Sequence, residues 1–487
     1  MTDLATLPQI DYDPDGMTPF HMPPPPRPRG LAWLAWIVVA LVVGFILSIS
    51  AFVDIPADPA GGRFVLEMQS KYLVGANQWP GVSGSMLFDQ SEMLDIGPVE
   101  QRLCVVALAG ELAGPEKAAD QLSSLLRVMR DHKREPTERQ QALIDALDDL
   151  YADFETGAWD APSLSAEERE LLKSELGWFG ELALVPPATA DHTARDAALA
   201  PATRTLWVIV SAAGLGLLLF FTGVVLLIVF LVQAMLGRIH WRHDVVPAVG
   251  GIYAEAFAVW MVLFIALSVA ADFALPDAPF IPMNLAVQAL GLLALGWPLL
   301  RRVPWRRLRE EIGLTAGRGA SEFFWGFAAY AATLPLLAIG ILAMLALAAV
   351  QAAVTGAPDP FDAANAGAHP IVGWIATAGF WDRALLLLLA CVGAPITEEI
   401  FFRGLLYRHL REASRAWRMG LSVVFSAGAT GFVFAIIHPQ GVVAVPVLGA
   451  LAFGFAVARE WRGSLVAPIV AHAFNNGAVM TLMLLIV

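Results

Sequence analysis

The run Leu385-Leu386-Leu387-Leu388-Leu389-Ala390-Cys391-Val392 leads directly into Glu398-Glu399-Ile400-Phe401-Phe402-Arg403. The first stretch reads as a helix buried in lipid. The second places two adjacent carboxylates on the same helix. A charge at bilayer depth costs several kcal/mol, about 2.5–3.5 even on lenient insertion scales, so the pair needs a reason. Arg403 follows Glu399 by four residues and shares its helix face. That pairing neutralises one carboxylate and leaves Glu398 for other work. The plain alternative is a helix end at the interface, with Glu and Arg solvated.

Two later stretches weigh against the plain alternative. Phe434-Ala435-Ile436-Ile437-His438 ends one apolar run, and His472-Ala473-Phe474-Asn475-Asn476 interrupts the last one. His472 and Asn476 are again one turn apart and face one way. A single membrane histidine reads first as a hydrogen bonder between packed helices. Three polar clusters in three consecutive apolar regions do not. The order EExxxR, FxxxH, HxxxN resembles the CPBP family of intramembrane proteases, which includes the CAAX-processing endopeptidases. The resemblance covers roughly residues 320–487 and implies an eight-helix-like protease core there. It says nothing of residues 1–200.

Composition sets the class. Hydrophobic residues make up 57% of the 487-residue chain and charged residues 15%, against about 25% charged in a soluble domain. We therefore expect an all-α polytopic membrane protein with about nine transmembrane helices and one inserted extracytoplasmic helical domain. The net charge of −13 comes essentially from the insertion, where acids outnumber bases about two to one. Nucleic acid is not an expected partner. Cys104 and Cys391 lie in different environments, so neither a disulfide between them nor a cysteine metal site is expected.

In chain order, residues 1–30 are a proline-rich, disordered cytosolic tail. Residues 31–53 are a membrane anchor, read as uncleaved because an acidic lead precedes a long apolar core. Residues 54–203 form the acidic domain. Within it, Thr137 with Gln140 and Ser165 with Glu168 read as capping boxes, and Leu143, Leu147, Leu150 and Phe154 mark one buried helix face. Gly81–Ser85 is a turn. Residues 204–320 hold transmembrane helices and basic loops, and 321–487 the protease-like core. Basic loops at 238–242, 301–309, 403–418 and 459–462 alternate with acidic or neutral ones at 272–277, 357–369 and 438–441. The positive-inside rule places the N-terminus and the basic loops in the cytosol. The composition and the absence of glycosylation sequons point to a bacterial inner membrane. Glu255, inside the third apolar segment, reads as a structural or snorkelling acid. Small residues at Gly428, Gly431, Gly449 and Gly454 suit close helix packing.

The residue types narrow the chemistry. There is no HExxH string for the usual zinc protease and no pair of mid-helix aspartates to share a proton. Ser426 is better explained by packing than as a nucleophile. A carboxylate, two histidines and an amide remain. Glu398 can act as base toward water, with His438 holding that water. His472 and Asn476 can donate to a developing oxyanion, and Glu399 with Arg403 orients Glu398. The CAAX-protease branch is inferred to work similarly. A metal-centred variant would use Glu398, His438 and His472 as ligands for one zinc ion; the sequence leaves no cofactor and one zinc ion both open. Counted from the basic loops at about 1.5 Å per residue, His438 lies roughly 13 Å too far out to meet Glu398. That gap requires a dipping 411–419 turn, a strong tilt or a late helix start.

The leading expectation is an endopeptidase acting on a membrane-associated protein or peptide. Its rivals are a catalytically silent scaffold or immunity-type protein that meets a partner through the inserted domain, and a proton-coupled transporter using Glu255, Glu398 and the histidines. No inverted repeat supports the last.

Overall fold

A computed structural model describes residues 30–52, 59–91, 94–239, 241, 250–276, 278–355, 361, 375 and 378–486. The proline-rich lead and nearly all of the 357–369 loop, with His240 and His243, lie outside these. Every regular element among the described residues is helical. Eight helices are long and apolar enough to span a membrane, and the apolar part of the N-terminal helix, Ala32–Ser48, is shorter. The chain is a polytopic all-α membrane protein.

In chain order, α1 (Ala32–Phe52) leads into the inserted domain: α2 (Pro59–Asn77), α3 (Gly84–Ser91), α4 (Val99–Ala113), α5 (Pro115–Asp131), α6 (Glu138–Glu155), α7 (Ala166–Leu176) and α8 (Trp178–Ala183). Both capping boxes form, Thr137 with Gln140 and Ser165 with Glu168, each closed in both directions. The amphipathic face of α6 is buried as the periodicity requires: Leu143, Leu147, Leu150 and Phe154 all lie in the domain's core.

α9 (His192–Met235) begins in the inserted domain, where Ala198 and Ala202 join that core, and continues as the first long span. The 203/204 boundary therefore falls inside one helix. Pro201 stands in the third turn of α9, where it removes one intrahelical donor.

The remaining spans are α10 (Ile252–Ala274), α11 (Phe280–Leu300), α13 (Ser321–Thr355), α14 (Phe380–Ala413), α15 (Met419–Ile436), α16 (Val445–Arg462) and α17 (Val466–Ile486), with a short surface helix α12 (Trp305–Ile312) between α11 and α13. A second core joins α1, α10, α14, α15 and α16 around Phe257, Phe401, Phe402 and Phe434. Phe361, from the loop between α13 and α14, is buried in the inserted domain's core beside Arg102 and Arg134. Phe361 and the inserted domain therefore share one side of the bundle.

Glu255 is the structural acid among the readings open to it. It is 6% exposed and accepts from the Leu31 amide at 2.5 Å, Trp297 Nε1 at 2.9 Å and Arg301 Nη1 at 2.5 Å. One carboxylate thus ties α1 and α11 to α10. Of the four glycines singled out for packing, Gly431 and Gly454 sit at helix crossings, against the Gly449 carbonyl and Thr333, while Gly428 and Gly449 face open space.

Candidate active site

α14 carries the decisive stretch, and it is not a regular α-helix. Leu389–Gly393 and Glu399–Leu406 are π-helical, separated by one α-helical turn, Ala394–Glu398. Pro395 supplies a cause for the first: it has no N–H to give the preceding turn, and its ring crowds the carbonyl four residues back. A π segment leaves carbonyls turned outward and commonly marks a functional site. Here Asn476 Nδ2 donates to the Ala390 carbonyl at 2.8 Å, tying α17 to the first π turn. Asn475 Nδ2 in turn donates to Asn476 Oδ1 at 3.1 Å.

The two carboxylates are held differently. Glu399 is fully buried, and its Oε1 accepts from Arg403 Nη1 at 2.8 Å and from His472 Nδ1 at 2.9 Å. Arg403, also fully buried, gives Nη2 to the Ala452 carbonyl at 3.1 Å. Its guanidinium lies between the rings of Phe434 and Phe455, 4.9 and 5.5 Å from their centroids. The face shared by Glu399 and Arg403 survives the π geometry. Glu398 keeps 21% of its side chain accessible, and its Oε2 lies 3.8 Å from His472 Nε2, beyond hydrogen-bond length. That oxygen has no hydrogen-bond partner among the described residues. Glu399 Oε2 has none either, but it is sealed from any approach.

Both histidines are oriented through Nδ1. His472 stacks on Phe455 at 5.4 Å and directs Nδ1 to Glu399. His438 directs Nδ1 to the Phe434 carbonyl at 2.5 Å, with its ring 4.2 Å from that of Phe434. A carbonyl or carboxylate acceptor at Nδ1 calls for a proton there, so in each neutral ring Nε2 carries the lone pair. Glu398, His472 and Arg403 all lie near enough to His438 to act on it electrostatically. Direct contacts join Glu398, Glu399, Arg403 and His472, while Phe434 lies between His438 and the rings and guanidinium of that group, and Asn476 stands at the first π turn.

In the 411–419 turn two residues are buried and Arg415 to Met419 are exposed. Arg411 and Ser414 are buried. Arg411 donates to Glu460 at 2.9 and 3.1 Å and also bonds Ser422, while Ser414 pairs with Ser422 at 2.6 Å. Arg403, Arg408, Arg411, Arg459 and Arg462, counted from sequence as basic loop charge, are buried in helices. Carboxylates or carbonyls meet them: Glu399, Glu412, Glu460, the Glu311 carbonyl and Glu322 respectively. Sequence reasoning missed Tyr407 and Glu460, which join at 2.8 Å just past the second π segment. The only signal for them was an acid, Glu460, in an otherwise basic run. Ser426 is sealed beside Ser414 at 3.4 Å, as packing predicts.

The Nδ1 anchors leave two Nε2 lone pairs and a carboxylate, a donor chemistry that zinc accepts. Among the described residues, however, no three of His, Cys, Asp and Glu converge on one ion-sized position.

Residues 380–478 match the family model described as type II CAAX prenyl endopeptidase, Rce1-like. This part of the chain is similar to the CAAX-protease family. The match begins with α14 and ends two residues past Asn476, so it contains all three motifs and none of the inserted domain. The family is one of intramembrane proteases. No curated protein and no solved structure matches the chain.

Proposed function

We propose that the chain is an intramembrane endopeptidase in which Glu398 activates a water molecule. The observation that carries this reading is the contrast within the pair: Glu399 is fully buried and held by Arg403 and His472, while Glu398, next to it, keeps 21% of its side chain accessible and has no hydrogen-bond partner on Oε2 among the described residues.

In this reading a water sits between Glu398 and His438 Nε2. Glu398 takes one proton as the oxygen attacks the peptide carbonyl carbon. The carbonyl electrons move onto oxygen, and the proton passes from Glu398 to the leaving amine as the C–N bond breaks. His472, when protonated, donates Nε2–H toward the oxyanion, and Glu399 stabilises that imidazolium. Asn476 uses one amide proton on Ala390 and retains a second for the same oxyanion. No step is routed through a metal.

The substrate class is a membrane-associated protein or peptide. The family description names prenylated CAAX ends, and the inserted domain offers a surface for a protein partner. The exposed arginines Arg238, Arg302, Arg306, Arg309, Arg415 and Arg418 support a cytosolic N-terminus with the inserted domain outside. Replacing Glu398 by Gln tests the reading, since it keeps volume and polarity and removes the base. Reporter fusions near Pro136 and after Arg418 test the orientation; a cytosolic signal from Pro136 overturns it.

A further inference from the structure

A large cavity among the described residues lies away from the candidate active site. It is a groove of about 1040 Å³ between α9, α13, α15 and α16. All four helices are membrane spans, so whatever occupies it arrives from the bilayer.

Its walls are graded. Most of its length is aliphatic, with Leu227 and Leu231 of α9 facing Leu336 and Val457. One end is aromatic and cationic. There Trp325 and Trp461 meet at 5.1 Å, Trp461 meets Phe230 at 5.8 Å, and Phe230 meets Trp241 at 6.0 Å, giving a continuous aromatic floor. Indoles with guanidinium groups are what a membrane–water interface selects.

Three arginines line this end: Arg238, Arg318 and Arg462. Arg462 is engaged, donating to Glu322 at 2.7 and 2.9 Å and stacking over Trp325 and Trp461. Arg238 and Arg318 are exposed, and neither guanidinium forms an ion pair among the described residues. An apolar slot whose single polar end holds two exposed guanidiniums outside any salt bridge among the described residues complements a molecule with hydrocarbon chains and one anionic head. Basic pockets between transmembrane helices hold acidic lipid headgroups on the same grounds.

We infer that this groove is a specific site for one anionic glycerophospholipid, with its acyl chains along α9 and α13 and its phosphate between Arg238 and Arg318. The site stands apart from Glu398 and holds whether or not the chain is a protease. Each basic side chain near a lipid surface contributes about a five-fold preference for an anionic headgroup. The two together contribute roughly 25-fold.

The test is native mass spectrometry of the full chain, purified with equal phosphatidylglycerol and phosphatidylcholine. The wild type should carry one phosphatidylglycerol in preference to phosphatidylcholine by about the stated factor. Arg238→Gln with Arg318→Gln should carry the two lipids equally, and inorganic phosphate should not compete. Val457→Trp, which fills the slot, should release both lipids while leaving the arginines in place. Equal retention of the two lipids by the wild type overturns the site. So does a preference that survives loss of both arginines, or a lipid-free dimer in which a second copy covers the groove.

Discussion

His472 Nδ1 lies 2.9 Å from Glu399 Oε1, the same oxygen that Arg403 reaches at 2.8 Å. One sealed carboxylate atom therefore fixes a residue of α17 and a residue of α14 at once. It also sets the tautomer of His472, so that the ring's other nitrogen faces Glu398.

Removing one partner of this triad should unfold more than it disables. Arg403→Ala leaves Glu399 in a dry site with only His472, and breaking a buried pair costs about 3–5 kcal/mol. The expected outcome is a clear drop in membrane yield and thermal midpoint. Normal yield with activity alone lost would mean that Arg403 touches the substrate instead.

His472→Ala and Asn476→Ala should each slow cleavage by about 10²–10³ through lost oxyanion donors, and both should also lower stability, His472 through its contact with Glu399. Asn476 also satisfies the Ala390 carbonyl at the first π turn, so its loss should lower the thermal midpoint as well. Hydrogen exchange across 386–398 provides the check; unchanged protection in Asn476→Ala would remove its tie to the π turn.

The inserted domain has a pH signature. Asp153 is held below the usual carboxylate range by the Ser163 hydroxyl and amide, Asp160 by the Ala190 amide and Thr189 hydroxyl, and Glu168 by Ser165. A carboxylate whose folded pKa is depressed stabilises the fold above its unfolded value, about 4. It loses that contribution as pH falls through the folded value. Glu111, raised by burial although paired with Arg195, acts in the opposite sense. Protection of the Ser163 and Ala190 amides, corrected for intrinsic exchange, should therefore fall between about pH 5 and pH 3. Asp153→Asn and Asp160→Asn should flatten that fall at their own amides. Protection constant over this range would contradict the assignment.

How far the sequence carried depends on the distance over which each residue acts. The Glu399–Arg403 contact spans one turn and was legible from spacing, as were the two capping boxes and the buried face of α6. The π segments were not. Pro395 was visible, but its consequence depends on Asn476, more than eighty residues later. The position of His438 was illegible for a related reason. Counting depth from basic residues assumes that they reach water, whereas Arg411 is buried against Glu460. Loop charge likewise fails as a measure of exposure wherever a distant helix brings an acid to meet it.

Metal dependence has a direct outcome. With water held by Glu398 and His438 alone, chelator-treated protein should keep its cleavage activity. Stoichiometric zinc in the purified protein, with activity lost on stripping and regained on addition, would instead require Glu398, His438 and His472 to close around an ion.

The most direct test of the account is Glu398→Gln at matched protein level. It is scored by complementation of a deletion strain or by comparison of membrane proteomes, neither of which requires the substrate to be named. An uncharged amide is cheaper than a carboxylate within the bilayer, so the variant should insert and fold. Loss of a general base should slow turnover by about 10²–10⁴, and the wild-type phenotype should not return. Full restoration by Glu398→Gln, and equally by His438→Ala and His472→Ala, would contradict the peptidase reading and leave a scaffold with a protease-like fold.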